Sequence, residues 1–313
     1  MLEEKRVKKN VTIYCGGIMM NNKLFWIGLL LVISTIFQSL VGVLSKTIHQ
    51  VDVLTNVYGE IVELYGIGIY RYDSLFKATI FKGTDFAMLV FVLPIFIGLL
   101  YFGLIKNNKY MKLMLLGLSS FLLYFHTSVA TGAFYNQLHL LYIFNFSLCL
   151  LFIIMLYVEV SKSQIKSEKM FQKPYMIIIY LVFNLLALIM AWIPEIISTM
   201  LNNTGLSFGY HYTTEATHVL DVGIIIPLIF ATIILLKQKK SISLIIIPIL
   251  VIMSGVIGVV IVMQTVYQIN AGIELTNQEI ATKVIPFLLN SIYSIVILRY
   301  YIKRIEIVDL NLQ

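Results

Sequence analysis

Apolar runs of about 20 residues recur from one end of this 313-residue chain to the other. A helix rising about 1.5 Å per residue needs that length to cross a hydrocarbon core roughly 30 Å thick. The runs are continuous, without the two-residue alternation that a membrane barrel strand requires. They predict an all-α, polytopic transmembrane helix bundle of about eight spans, at 24–44, 86–105, 113–132, 139–158, 175–194, 217–236, 242–264 and 284–302. Charged residues are 12% of the chain, against about 25% in soluble domains, so no separate soluble domain is expected.

Lysine and arginine set the expected orientation. Eighteen of the 23 fall on one side of the predicted spans, and only Lys46, Arg71, Lys77, Lys82 and Lys283 on the other. The richer side includes Lys5, Lys23, Lys106, Lys112, Lys162, Lys237 and Arg304, which makes both termini cytoplasmic. Ten of the 16 acids lie on the opposite face. The net +7 is therefore a signature of topology and gives no reason to expect nucleic acid as a partner.

Residues 1–23 form a polar cytoplasmic segment on this reading, and 303–313 a cytoplasmic tail. Gly16-Gly17 upstream of Met19-Met20 suggests translation starting at one of those methionines, with 1–19 preceding the true start. In the outer connection 45–84, Val53, Val57, Ile61 and Leu64 recur at three- and four-residue steps, predicting an interfacial helix near 52–65. Cys15 and Cys149 fall on different levels and have no metal-type spacing.

Depth picks out the candidate site. The apolar stretch after Lys112 ends at Phe125, so the third span reaches the outer surface only by including His126, about 21 Å above that lysine. Asp221, sixteen residues above Lys237, sits about 24 Å up. The polar stretch "GYHYTTEATHVLD" is thus needed for the sixth helix to span. Asp85 and His139 are expected at or close to the outer surface by the same count. Ionisable groups within a bilayer face the bundle interior and default to function. The predicted outer-leaflet polar site comprises Asp85, His126, Tyr135, Asn136, His139, His218 and Asp221. His211, Glu215 and His218 would share a helical face able to hold a transition metal, if the helix began early enough. A helix beginning near Thr213 removes His211 from the row. No motif names a cofactor, a phosphate-cradling loop or a midplane charge. Asn145, Asn184 and Asn290 are the polar residues left at mid-depth.

Three stretches, "YRYDSLFKATIFKGTDFAMLVFVLP", "GLSSFLLYFHTSVATGAFYNQLHLLYIFNFSL" and "THVLDVGIIIPL", resemble an uncharacterised bacterial family of polytopic membrane proteins. Asp73, Asp85, Tyr124, the Ala133–Asn136 turn, Tyr142 and His218-x-x-Asp221 carry the resemblance, while His126 departs from an aromatic position. The resemblance implies a bacterial cytoplasmic membrane and about eight helices, and no activity.

Three functions follow in order of preference. The first is a small-solute binding or permeation protein with an outward-facing site, its partner the lipid bilayer. The second is a non-catalytic subunit working with other membrane subunits or an ATPase encoded nearby. The third is a membrane-embedded metal- or haem-dependent enzyme. The first predicts a polar cavity opening outward between spans two, three and six.

Overall fold

Among the described residues of the computed structural model, eight helices are long and apolar enough to cross a membrane. The structure describes residues 2–48, 53–206, 211–212 and 214–309, with side chains from 21 to 308. The first helix, α1, runs from Leu2 to Leu44, its apolar part beginning at Asn21. It continues through the polar segment that separates residues 1–23 in the sequence reading. The others are α2 (Leu75–Ile105), α3 (Lys109–Gly132), α4 (His139–Val160), α5 (Tyr175–Asn202), α6 (Ala216–Lys237), α7 (Ile242–Asn270) and α8 (Asn277–Ile302).

Besides α1, four more of these start or finish well beyond the apolar runs. The largest difference is α2, which begins at Leu75 rather than 86 and so carries Lys77, Lys82 and Asp85 inside a helix. Ser74 caps that start by accepting the Lys77 N–H, and protein rather than water covers the charges, since all three are buried. Helices α5, α7 and α8 lengthen toward the same end. That end of the bundle therefore stands taller than a hydrocarbon core requires.

Contacts sort the connections into two ends. At one, Lys112 in α3 reaches Asn21 at 3.1 Å and Glu159 in α4 at 3.0 Å, and Lys162 closes on the same carboxylate at 2.5 Å. There β1 (Ser163–Lys166) pairs antiparallel with β2 (Glu306–Asp309), so the α4–α5 connection and the tail lie together. At the other end sit the 45–74 connection and the starts of α2, α6 and α8.

The helix expected near 52–65 is not formed. Val53–Thr55 and Ile61–Glu63 pair instead as an antiparallel hairpin. Its turn is set by Asn56, whose side-chain oxygen accepts the Tyr58 and Glu60 N–H groups at 3.0 and 2.9 Å, and by Gly59 at φ +81°. The three-four spacing is coincidental: Val53, Val57 and Ile61 are exposed while Val62 and Leu64 are buried, an alternation that suits a strand. Asp52 at its edge, and His49, Gly209 and Thr213, lie outside the described residues.

At mid-depth the asparagines are paired. Asn145 donates to Gln38 at 2.7 Å, and Asn184 donates to Asn290 at 2.9 Å while accepting from Ser254 at 2.6 Å. Each pair ties two or three helices by hydrogen bonds that have no aqueous competitor.

Candidate functional site

A cavity of about 210 Å³ opens at the taller end of the bundle, walled by α2, α3, α5, α6, α7 and α8. Close helix approach shapes it. A Cβ on Gly83 would stand 2.5 Å from the Gln264 Cα, so only glycine lets α2 lie this near α7. The next residue, Thr84, then receives a hydrogen bond from the Gln264 amide at 2.8 Å across the cavity wall. Phe81, Phe121, Tyr124, Phe125 and Phe287 supply the apolar lining.

The polar lining is charged, and most of it is paired. Lys77 meets Glu215 at 2.5 Å, with side-chain exposures of 9% and 11%. Lys283 meets Glu195 at 2.6 Å. Glu215 is also the N-cap of α6, accepting from the Thr217 hydroxyl at 2.7 Å. Burial opposes its charge, but Lys77 and these hydrogen bonds outweigh burial and hold the carboxyl below its ordinary value. Trp192 joins the groups at the cavity floor. Its indole N–H donates to Asp221 Oδ2 at 2.8 Å, its ring lies 4.9 Å from His218, and the Lys283 ammonium stands 5.6 Å over it. Tyr124 faces the same carboxylate. Asp221 is only 4% exposed, and its Oδ1 completes no hydrogen bond among the described residues. It is the cavity's one buried carboxylate without an ion pair among them.

Three of the six wall helices share a backbone device. A π-helical turn covers 88–92 in α2, 221–225 in α6 and 280–284 in α8, and each ends two residues before a proline (Pro94, Pro227, Pro286). Proline cannot donate to the carbonyl four residues back, and its ring presses on that carbonyl. In all three helices that carbonyl (Val90, Gly223, Thr282) lies inside the wider turn, which accommodates the ring. Asp221 opens one such turn and Lys283 sits in another. Turns of this kind occur often at functional sites.

Of the seven residues expected to form one site, the structure brings His218 and Asp221 to the cavity and sends five elsewhere. His126 is fully buried and faces α1, its Nε2 3.2 Å from the Thr35 hydroxyl. Tyr135 is 74% exposed and packs on half-buried His139, ring centroids 5.0 Å apart. Asn136 folds back on its own turn, accepting the Leu138 N–H at 2.9 Å, and so starts α4. Asp85 is wholly buried rather than near the surface, accepting from the Tyr70 hydroxyl at 2.7 Å.

The metal row fails because α6 begins only at Ala216. His211 lies before the helix, its Nε2 3.0 Å from the Tyr72 carbonyl, and Glu215 is committed to Lys77. Among the described residues no group of three or more His, Cys, Asp or Glu side chains could hold a metal ion.

Sequence reasoning puts Lys77 and Lys283 on the outer side of the predicted spans, because charge interrupts the apolar runs there, and so gives them no part in the site. The available signal is charge pairing between loops of opposite sign, which spacing alone cannot assign. The residues behind the family resemblance separate into two groups. Tyr124, His218 and Asp221 stand at the cavity, whereas Asp73, Asp85, Tyr142 and the turn at Asn136 gather beneath α1. No family model matches the chain, and neither a curated protein nor a solved structure matches it. The resemblance drawn from the sequence therefore has no matched family behind it, and what stands is a multi-pass helical architecture.

Proposed function

We propose that the chain is a multi-pass protein of a bacterial cytoplasmic membrane, both termini inside, that binds or passes a small solute through the outward-facing cavity. The lysine-rich end with Lys112 and Lys162 supports the orientation, and the cavity then opens away from the cytoplasm. The observation that carries the reading is Asp221, a buried carboxylate with no ion pair among the described residues, at the floor of a 210 Å³ space. Both lysines of the cavity are neutralised by glutamates, so Asp221 leaves an uncompensated negative charge among aromatic faces. Such a site favours a solute bearing an ammonium group, which carboxylate and ring quadrupoles both attract.

The test is thermal unfolding of the detergent-purified chain against small amines, amino acids, sugars and nucleosides. At least one amine-bearing solute is expected to stabilise the wild type saturably, and Ser128→Trp, which fills the cavity from α3, to abolish the effect. Responses that are absent, or identical in the two proteins, would refute the reading.

A further inference from the structure

Beneath α1, away from the cavity, five buried polar atoms complete no hydrogen bond among the described residues: Asp85 Oδ1, Ser39 Oγ, Gln38 Nε2, Tyr142 OH and Asn145 Oδ1. Each of their residues is at most 1% exposed. Native interiors leave very few such groups, and a cluster of them marks an ion or water that belongs there. Three helices and the turn before α2 supply this one. Ser39 on α1 and the Tyr70 hydroxyl both face Asp85, and Tyr142 on α4 stands beside Tyr70. Gln38 and Asn145 continue the cluster one step deeper by their mutual hydrogen bond. A Cβ on Gly42 would stand 1.8 Å from Asp85 Oδ2, so the glycine is what lets the carboxylate enter against α1.

The neighbouring charges offset Asp85 only in part. Lys82, three residues earlier, donates to the Val43 carbonyl at 3.2 Å and lies over the Tyr65 ring. Among the described residues it makes no ion pair with Asp85. Asp73, the other acid facing Tyr142, adds negative charge. A buried carboxylate left this way is costly unless a cation joins it. The unmet set is rich in oxygen, four of five atoms. A proton on Asp85 would neutralise the carboxylate without gathering the hydroxyls; a bare cation draws carboxylate and hydroxyl lone pairs at once.

We propose that Asp85, Ser39 and Tyr142 form a second site, binding a single monovalent cation of sodium's size. One carboxylate suits one positive charge, and hydroxyl and amide oxygens suit a hard ion. The site shares a wall with the cavity. Thr84 lines the cavity and the adjacent Asp85, about 100° further round the axis of α2, faces the cation site. An ion at Asp85 would thus act on the helix that shapes the solute site, an energy source that the sequence, read by depth, does not reveal.

The test needs no solute, so it stands or falls apart from the cavity's function. Thermal unfolding of the full chain is followed in choline chloride, with sodium or potassium chloride substituted at constant ionic strength. Sodium is expected to raise the midpoint saturably, with potassium markedly weaker. Asp85→Asn, which keeps an acceptor for Tyr70, should lose the sodium response, and Ser39→Ala should weaken it about tenfold, the loss of one ligand. If Asp85→Asn does not accumulate folded, Tyr142→Phe carries the same expectation. Equal responses to all three salts, retention of the sodium effect in Asp85→Asn, or a midpoint that follows pH and ignores sodium would each overturn the proposal.

Discussion

Removing the ion pair between Lys77 and Glu215 tests how the cavity is built. The two atoms lie 2.5 Å apart with side chains 9% and 11% exposed, which puts the pair in the buried class. Breaking such a pair from one side costs about 3–5 kcal/mol, because the surviving charge is stranded. The cavity admits some water, so Lys77→Met and Glu215→Gln are each expected near the low end, about 3 kcal/mol. The amide oxygen introduced by Glu215→Gln can still accept from Thr217, so the α6 cap survives and the loss reports on charge. The double variant strands nothing and should cost no more than either single, leaving a coupling energy of about 3 kcal/mol. Reversible unfolding in mixed detergent and dodecyl sulfate at neutral pH provides the free energies. Acid gives a second reading. The Glu215 carboxyl is held below its ordinary 4.5, so its contribution is complete above that pH and lost as pH falls through the lower folded value. A coupling below about 1 kcal/mol would place the pair with exposed surface bridges and refute the buried geometry.

Asp73 should act in the opposite sense. Burial pushes its carboxyl up to about 6 against an ordinary 3.8, despite hydrogen bonds from Phe134 and Tyr212. Its contribution is therefore complete below pH 3.8 and lost as pH rises to about 6, a decline of about 3 kcal/mol relative to Asp73→Asn. Parallel stability profiles of the two proteins between those values would contradict this. Asp221→Ala should cost about 1–3 kcal/mol by leaving the Trp192 N–H without its acceptor, and should abolish solute binding. Glu279→Ala removes an exposed capping box at Thr276 on the cavity's rim, about 0.5–1 kcal/mol, and should weaken binding far less than Asp221→Ala. Equal losses in unfolding and binding assays would refute that ranking.

The bundle is largely legible because hydropathy over 20 residues reports what lipid demands of a helix. All eight predicted spans overlap helices, and the errors are concentrated at one end. There α2 continues through Lys77, Lys82 and Asp85, whose side chains turn to Glu215, the Val43 carbonyl and Tyr70. A window of hydropathy sees the charge and not its partner 138 residues away. The hairpin at 53–63 escapes the sequence reading because three-four spacing among β-branched residues fits a strand as well, and Asn56 with Gly59 decides the matter locally. Depth counting finds Asp221 and His126 as buried groups, but rotation about each helix axis determines which side they face. Asp221 turns to the cavity and His126 to Thr35, a difference of helix packing that periodicity within a single span does not encode.

An aqueous cavity that opens to the outer side between α2, α3, α5, α6, α7 and α8 is the premise of the proposed function. Its most direct test is thiol accessibility in intact cells, using a chain with Cys15 and Cys149 replaced by alanine. Thr217→Cys and Gln268→Cys, both in the cavity lining, are expected to react with a membrane-impermeant reagent added outside, while fully buried Ser119→Cys stays unlabelled. Labelling of the two lining positions only after the membrane is permeabilised, or of none, would contradict it.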